Sequence, residues 1–74
     1  MVEWKVLKNE LINIKKASWI ELRISQIEGT NNKYLVISKL FKRKDGTAVY
    51  TKSLALPIEV LDNIIEALNK LRGF

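Results

Sequence analysis

The sequence predicts an α+β domain of four antiparallel strands followed by one C-terminal amphipathic helix, in the order ββββα. Three observations carry this reading. Apolar residues recur at every second position between residues 18 and 56, turn-forming residues break that pattern at two places, and the period changes after Pro57. Seventy-four residues leave room for a single domain with no second core.

Residues 3–16 read as the first strand, with weak alternation and an expected bulge or bend near Asn9. The second strand, 18–28, alternates well. It sets Ile20, Leu22 and Ile24 on one face and Trp19, Glu21, Arg23 and Ser25 on the other. Glu28-Gly29-Thr30-Asn31-Asn32 is rich in residues that tolerate positive φ or bond their own backbone, so it joins two antiparallel strands. The third strand, 33–44, is β-prone and runs into Asp45-Gly46, the strongest hairpin signal in the chain. Residues 47–56 form the fourth strand. After it, Leu61, Ile64, Ile65, Leu68 and Leu71 lie on one stripe of a helix over 58–72. Pro57 marks its start, Glu59 and Asp62 suit the positive end of its dipole, and Lys70 and Arg72 suit the negative end. One helix covers only part of one sheet face, which leaves the opposite face for solvent, a ligand or a second subunit.

Composition narrows the functional classes. The chain has neither cysteine nor histidine, so disulfides, Cys/His zinc sites and Cys or His catalysis are excluded. No Gly-rich phosphate loop occurs, because the glycines at 29, 46 and 73 are isolated. Ser18, Ser25, Ser38 and Ser53 lack a histidine to activate them, and the carboxylates read as solvated helix, strand and loop residues. The expectation is a protein that is not an enzyme and needs no cofactor or metal. Apolar runs are only a few residues long, and the N-terminal residues mix Trp4, Val6 and Leu7 with Glu3, Lys5, Lys8 and Glu10. Neither a membrane span nor a signal peptide is expected, and a cytoplasmic location follows as the default.

Charge points to a polyanionic partner. Thirteen Lys and Arg against eight Asp and Glu give a net charge of +5. Residues 33–52 alone carry Lys33, Lys39, Lys42, Arg43, Lys44 and Lys52 against Asp45. Aromatic residues are interleaved with these cations along the strands: Trp19 with Arg23, Tyr34 with Lys33, Phe41 with Lys39 and Arg43, and Tyr50 with Lys52. This pattern suits single-stranded nucleic acid, whose bases stack on rings while its phosphates meet cations without regard to sequence. Aromatics also fill small cores. For Trp4, Tyr34 and Tyr50 core or interface is the stronger reading, whereas Trp19 and Phe41 stand between packing and stacking. The Lys42-Arg43-Lys44 run fits either phosphate contact or protection of a strand edge.

Two stretches carry a family resemblance. Tyr50-Thr-Lys-Ser-Leu-Ala-Leu-Pro-Ile-Glu-Val-Leu and Lys33-Tyr-Leu-Val-Ile-Ser-Lys-Leu-Phe resemble the last strand, helix start and preceding strand of the positive cofactor 4 type of single-stranded-DNA-binding transcriptional coactivator, to which PUR and Whirly proteins are more distantly related. Lys52, Leu54, Leu56, Glu59 and Leu61 occupy the family's last-strand and helix-start places. Phe41 takes the place of a DNA-stacking aromatic, and Lys33 that of a basic residue opening the strand. The resemblance covers about residues 4–71 and departs at Ser53, where the family often has Gly, and at Ser38, where it has Arg. It implies a homodimer whose curved sheets hold single strands.

The sequence-based expectation is therefore a dimeric single-stranded DNA- or RNA-binding protein with little sequence preference, acting in transcription, replication or repair near the nucleoid. Trp19, Arg23, Lys33, Lys39, Phe41, Arg43 and Lys52 are its candidate contacts. Transcription or replication proteins are further candidate partners. The rival readings are a module that docks an acidic protein and a small duplex-binding chromatin protein.

Overall fold

A computed structural model describes residues 2–73. Alternating side chains and turn residues produce β1 (Trp4–Lys15), β2 (Ser18–Ile27), β3 (Lys33–Lys42) and β4 (Ala48–Pro57), then a 3-10 turn (Ile58–Val60) and helix α1 (Leu61–Leu71). The strands form one antiparallel sheet in the order β1-β2-β3-β4. This is the predicted ββββα order. Pro57 ends β4, pairing with Tyr34, and also precedes the 3-10 turn, so strand and helix are joined without a loop.

The Asp45-Gly46 hairpin has a simple construction. The Gly46 N–H donates to the Arg43 carbonyl at 2.9 Å, the Arg43 N–H donates to the Thr47 carbonyl at 2.9 Å, and Gly46 adopts φ +89°. That is a turn closed by a left-handed residue, a position where glycine avoids the Cβ penalty. The Thr47 N–H donates to Asp45 Oδ1 at 2.8 Å. That bond, with Thr47's side chain, holds the Asp45 carboxyl below its usual pKa.

Bulges decide which residues share a face. In β1 the register shifts between Val6 and Lys8 and again between Asn13 and Lys15, so one irregularity falls at Leu7, two residues before Asn9, and a second at Ile14. In β4 the partners jump from Lys52 to Tyr50, leaving Thr51 as the extra residue. One face, here termed the ring face, carries Trp4, Asn9, Trp19, Glu21, Arg23, Tyr34, Ser38, Tyr50 and Ser53. The other is aliphatic, with Ile12, Ile20, Leu22, Ile24, Leu35, Ile37, Leu54 and Leu56. Lys39, Lys52 and Phe41 extend that aliphatic face toward the end of the sheet.

The helix hardly covers either face. Leu61 joins Leu22, Ile24 and Leu35 of the aliphatic face around one depression, but no residue of α1 is buried. Ile65, Leu68 and Leu71 remain 47%, 56% and 67% exposed. Among the described residues only Leu35, Val36 and Leu40 are buried apolar side chains. The accessible surface is 6189 Å², about 1,500 Å² above the roughly 4,700 Å² expected of a folded chain of this mass. A radius of gyration of 14.2 Å likewise exceeds the about 11 Å of a compact chain this long. Among the described residues no helix is long and apolar enough to cross a membrane.

Candidate nucleic-acid interface

In an up-and-down meander the first and third turns lie at the same end of the sheet. Here they are joined directly, because the Lys42 N–H donates to the Ala17 carbonyl at 2.8 Å. Lys15 and Lys16 from the first turn thereby meet Lys42, Arg43 and Lys44 from the third, with Asp45 as the one acid in these two turns. The opposite end brings Glu28 against Glu3, whose carbonyl accepts from the Glu28 N–H at 2.9 Å. Lys5 and Lys33 also lie at that end and offset the two acids, so the excess positive charge sits at the end of the first and third turns.

Lys16 adopts φ +37°, a region costly for any residue with a Cβ. Asn13 braces this turn, its Nδ2 donating to the carbonyls of Lys16 at 3.3 Å and Ser18 at 3.1 Å. A lysine here adds positive charge to the cationic end where glycine would fit the backbone more cheaply.

Both faces contribute at this end. On the ring face the Lys42 ammonium lies 4.7 Å from the centroid of the Trp19 ring. On the aliphatic face Phe41 is exposed and pairs with Ser18 and Val49. Lys39 and Lys52 are direct register partners and flank a depression of about 290 Å³ floored by Ile20, Ile37 and Leu54. Like charges directly opposite each other destabilise a sheet. An anion seated between them would remove that cost. Replacing Lys52 by Thr should therefore stabilise the free protein, by about 0.2–1 kcal/mol, while weakening oligonucleotide binding. Parallel thermal melts and binding titrations check the opposed signs, and a loss of both stability and binding would contradict this role.

Of the seven sequence-derived candidates, Trp19, Lys39, Phe41, Arg43 and Lys52 gather at or next to this end. Two do not. Lys33 opens β3 at the far end, six residues from Lys39, or roughly 20 Å along the strand. Arg23 lies in the middle of the ring face and is tethered there. Its Nη1 is 3.5 Å from Glu21 Oε1, its Nη2 donates to Ser38 Oγ at 3.2 Å, and its guanidinium lies 5.7 Å from the Tyr50 ring centroid.

Glu21 anchors that arrangement. Its buried carboxylate accepts from Tyr50 Oη at 2.9 Å and from Asn9 Nδ2 at 3.0 Å. Ser38 and Ser53 are register partners, with their hydroxyls 2.8 Å apart. The bond to Glu21 is the main cause that pushes the Tyr50 phenol above its usual pKa, with burial and the carboxylate's charge adding to it. Trp4 and Tyr50, 48% and 49% exposed, are not core residues of the protomer. They line an open face because α1 leaves it bare, and the Trp4 and Tyr34 rings meet in a T-shaped arrangement, with centroids 5.3 Å apart.

Sequence reasoning missed Lys15 and Lys16 as members of the site, because 26 positions separate Lys16 from Lys42. The meander topology was the signal that could have joined them. Comparison of the chain with protein-family models, with curated proteins and with solved structures finds no match.

Proposed function

We propose that the chain is a homodimeric, non-enzymatic protein that binds single-stranded DNA or RNA at the cationic end of its sheet with little sequence preference. The observation that carries this reading is the convergence of Lys15, Lys16, Lys42, Arg43 and Lys44 from two turns, with Trp19 on one face beside them and Phe41 on the other. Cations of one sign neutralise phosphates, and the rings offer stacking platforms that a duplex has no unstacked bases to use. A base that stacks on Trp19 displaces Lys42, whose ammonium is then free for the neighbouring phosphate. Lys39 and Lys52 take a second phosphate on the other face.

The dimer is supported by area and by pattern. An apolar helix stripe and an apolar sheet face lie on one chain, and a twofold axis would let each cover the other's copy. The excess surface of about 1,500 Å² is ample for a stable interface, which buries about 800 Å² per partner. Such a protein would work in the cytoplasm at the nucleoid, in transcription, replication or repair, as the positive cofactor 4 resemblance implies.

Substituting the two rings tests the stacking. Trp19→Ala and Phe41→Ala should each cost roughly 1–3 kcal/mol in oligo-dT binding, about five- to 150-fold in Kd. Unchanged affinity in both variants, with folding verified by circular dichroism, would remove the stacking mechanism and favour an acidic protein as the partner.

A further inference from the structure

β1 is an edge strand, since among the described residues it pairs with β2 alone. All twelve of its residues are exposed, and six of them, Trp4, Val6, Leu7, Leu11, Ile12 and Ile14, are large apolar side chains. A long apolar edge is a template for another strand unless something blunts it. The opposite edge, β4, ends in Pro57, whose nitrogen has no hydrogen to donate. β1 has no proline, and alternate residues along it direct N–H and C=O groups outward.

The residues of β1 are complementary to their own copies. When two copies of a strand pair antiparallel about a twofold axis normal to the sheet, opposed residues share a face, so the axis passes between one residue and its own copy. The regular run 8–13 supplies the choices. An axis at Lys8 or Glu10 opposes like charges, and one at Leu11 sets Lys8 against Lys15 across the irregularity at Ile14. An axis at Ile12 or Asn13 leaves residues 4–8 without a partner. At Asn9 the whole segment 4–13 pairs. Lys8 then opposes Glu10 on the aliphatic face, twice by symmetry, and Val6 opposes Leu11 on the ring face, with Leu7 as the extra residue.

We propose that β1 is an interface for a second copy of this chain, paired antiparallel with that copy's β1 about an axis at Asn9. The two sheets then form one of eight strands, with both ring faces on the same side and the two cationic ends pointing in opposite directions. The contact leaves the apolar stripe of α1 free and needs no oligonucleotide, so it stands apart from both the helix-borne dimer and the single-strand reading. It is the weaker of the two contacts between copies, being a strand pair with no second layer over it.

Disulfide trapping reads the register, because the chain has no cysteine of its own. Asn9→Cys sets two sulfurs across the axis, where opposed Cα atoms lie about 4.5–5.5 Å apart, within reach of a disulfide. Under mild oxidation it should give a cross-linked dimer on non-reducing electrophoresis. Leu11→Cys should not, since its copies lie about 13 Å apart along the strands. Adding Glu10→Lys to Asn9→Cys should slow cross-linking about tenfold, and adding Lys8→Glu as well should restore it. Circular dichroism verifies that each variant is folded. If Asn9→Cys loses its bond to Glu21 and does not fold, an equimolar mixture of Lys8→Cys and Glu10→Cys takes its place, and the mixed disulfide should exceed its statistical share. Cross-linking of Asn9→Cys no faster than that of Leu11→Cys, or unchanged by Glu10→Lys, would overturn the interface and leave the single-strand reading in place, as would a statistical yield from the mixture.

Discussion

Replacing Lys42, Arg43 and Lys44 together by alanine should weaken oligo-dT binding and flatten its salt dependence. Each lost phosphate contact with a single strand removes about 0.7 from the slope of log K against log salt, so three remove about 2. The penalty is then roughly twentyfold larger at about 50 mM salt than at about 200 mM. Weakening by the same factor at both concentrations would mean that the third turn shapes the site without touching phosphate. The fold should tolerate the change, because these residues end or follow β3 and are exposed. Asp45 and Gly46, which build the turn, are left intact.

The second large effect is expected at the helix. Ile65→Asp combined with Leu68→Asp places four carboxylates in a twofold interface where four half-exposed aliphatic side chains would have been buried. Completing the burial of each is worth about 1 kcal/mol, or about 4 kcal/mol in all, so the monomer–dimer midpoint should rise about a thousandfold. Sedimentation equilibrium reads that shift directly. The wild type should also melt at a temperature that increases with protein concentration, since association stabilises only the folded state. A wild type that stays monomeric at high micromolar concentration, with a concentration-independent Tm, would end the dimer reading.

Much of the fold was legible because alternation and punctuation agree. Trp19 to Ile27 contains no bulge, so its faces could be assigned from parity alone, and Asp45-Gly46 forms the expected turn. Parity fails where a strand carries an extra residue. Tyr50 and Lys52 share parity, yet the irregularity at Thr51 sends Tyr50 to the ring face beside Arg23 and Lys52 to the aliphatic face beside Lys39. In β1 the shift at Leu7 makes the same switch, which puts Ile12 opposite Ile20. An inserted residue has no compositional mark of its own, so neither switch could be read from residue types.

The helix was legible as an element but not in its packing. Its stripe of Leu61, Ile64, Ile65, Leu68 and Leu71 reads equally well against its own sheet or against another copy, because periodicity names a face and not its partner. Pro57 settles the departure of the chain from the sheet by serving both as the last residue of β4 and as the residue before the 3-10 turn. Only the start of the helix then lies against Leu22, Ile24 and Leu35.

The candidate site was legible residue by residue and illegible as a constellation. Lys39, Lys52, Phe41, Arg43 and Trp19 were visible as cations and rings, but not that they collect at one end of the sheet on two opposite faces. Arg23 looked like a phosphate contact. Its neutralisation by Glu21 depends on a cluster drawn from all four strands, Asn9, Glu21, Ser38 and Tyr50 among them, which no local pattern announces. The two departures from the positive cofactor 4 pattern, Ser38 and Ser53, are register partners in that same cluster and share a hydrogen bond. The Arg23 guanidinium reaches Ser38 from the neighbouring strand.

Titration of the wild-type protein with labelled oligo-dT and with a duplex of equal length, each at about 50 and 200 mM salt, addresses the central claim most directly. The account predicts that the single strand binds at least about tenfold more tightly at both concentrations, with a log–log salt slope near −3 for four or five phosphates neutralised. Equal or tighter binding of the duplex would contradict it and place the protein among duplex-binding chromatin proteins.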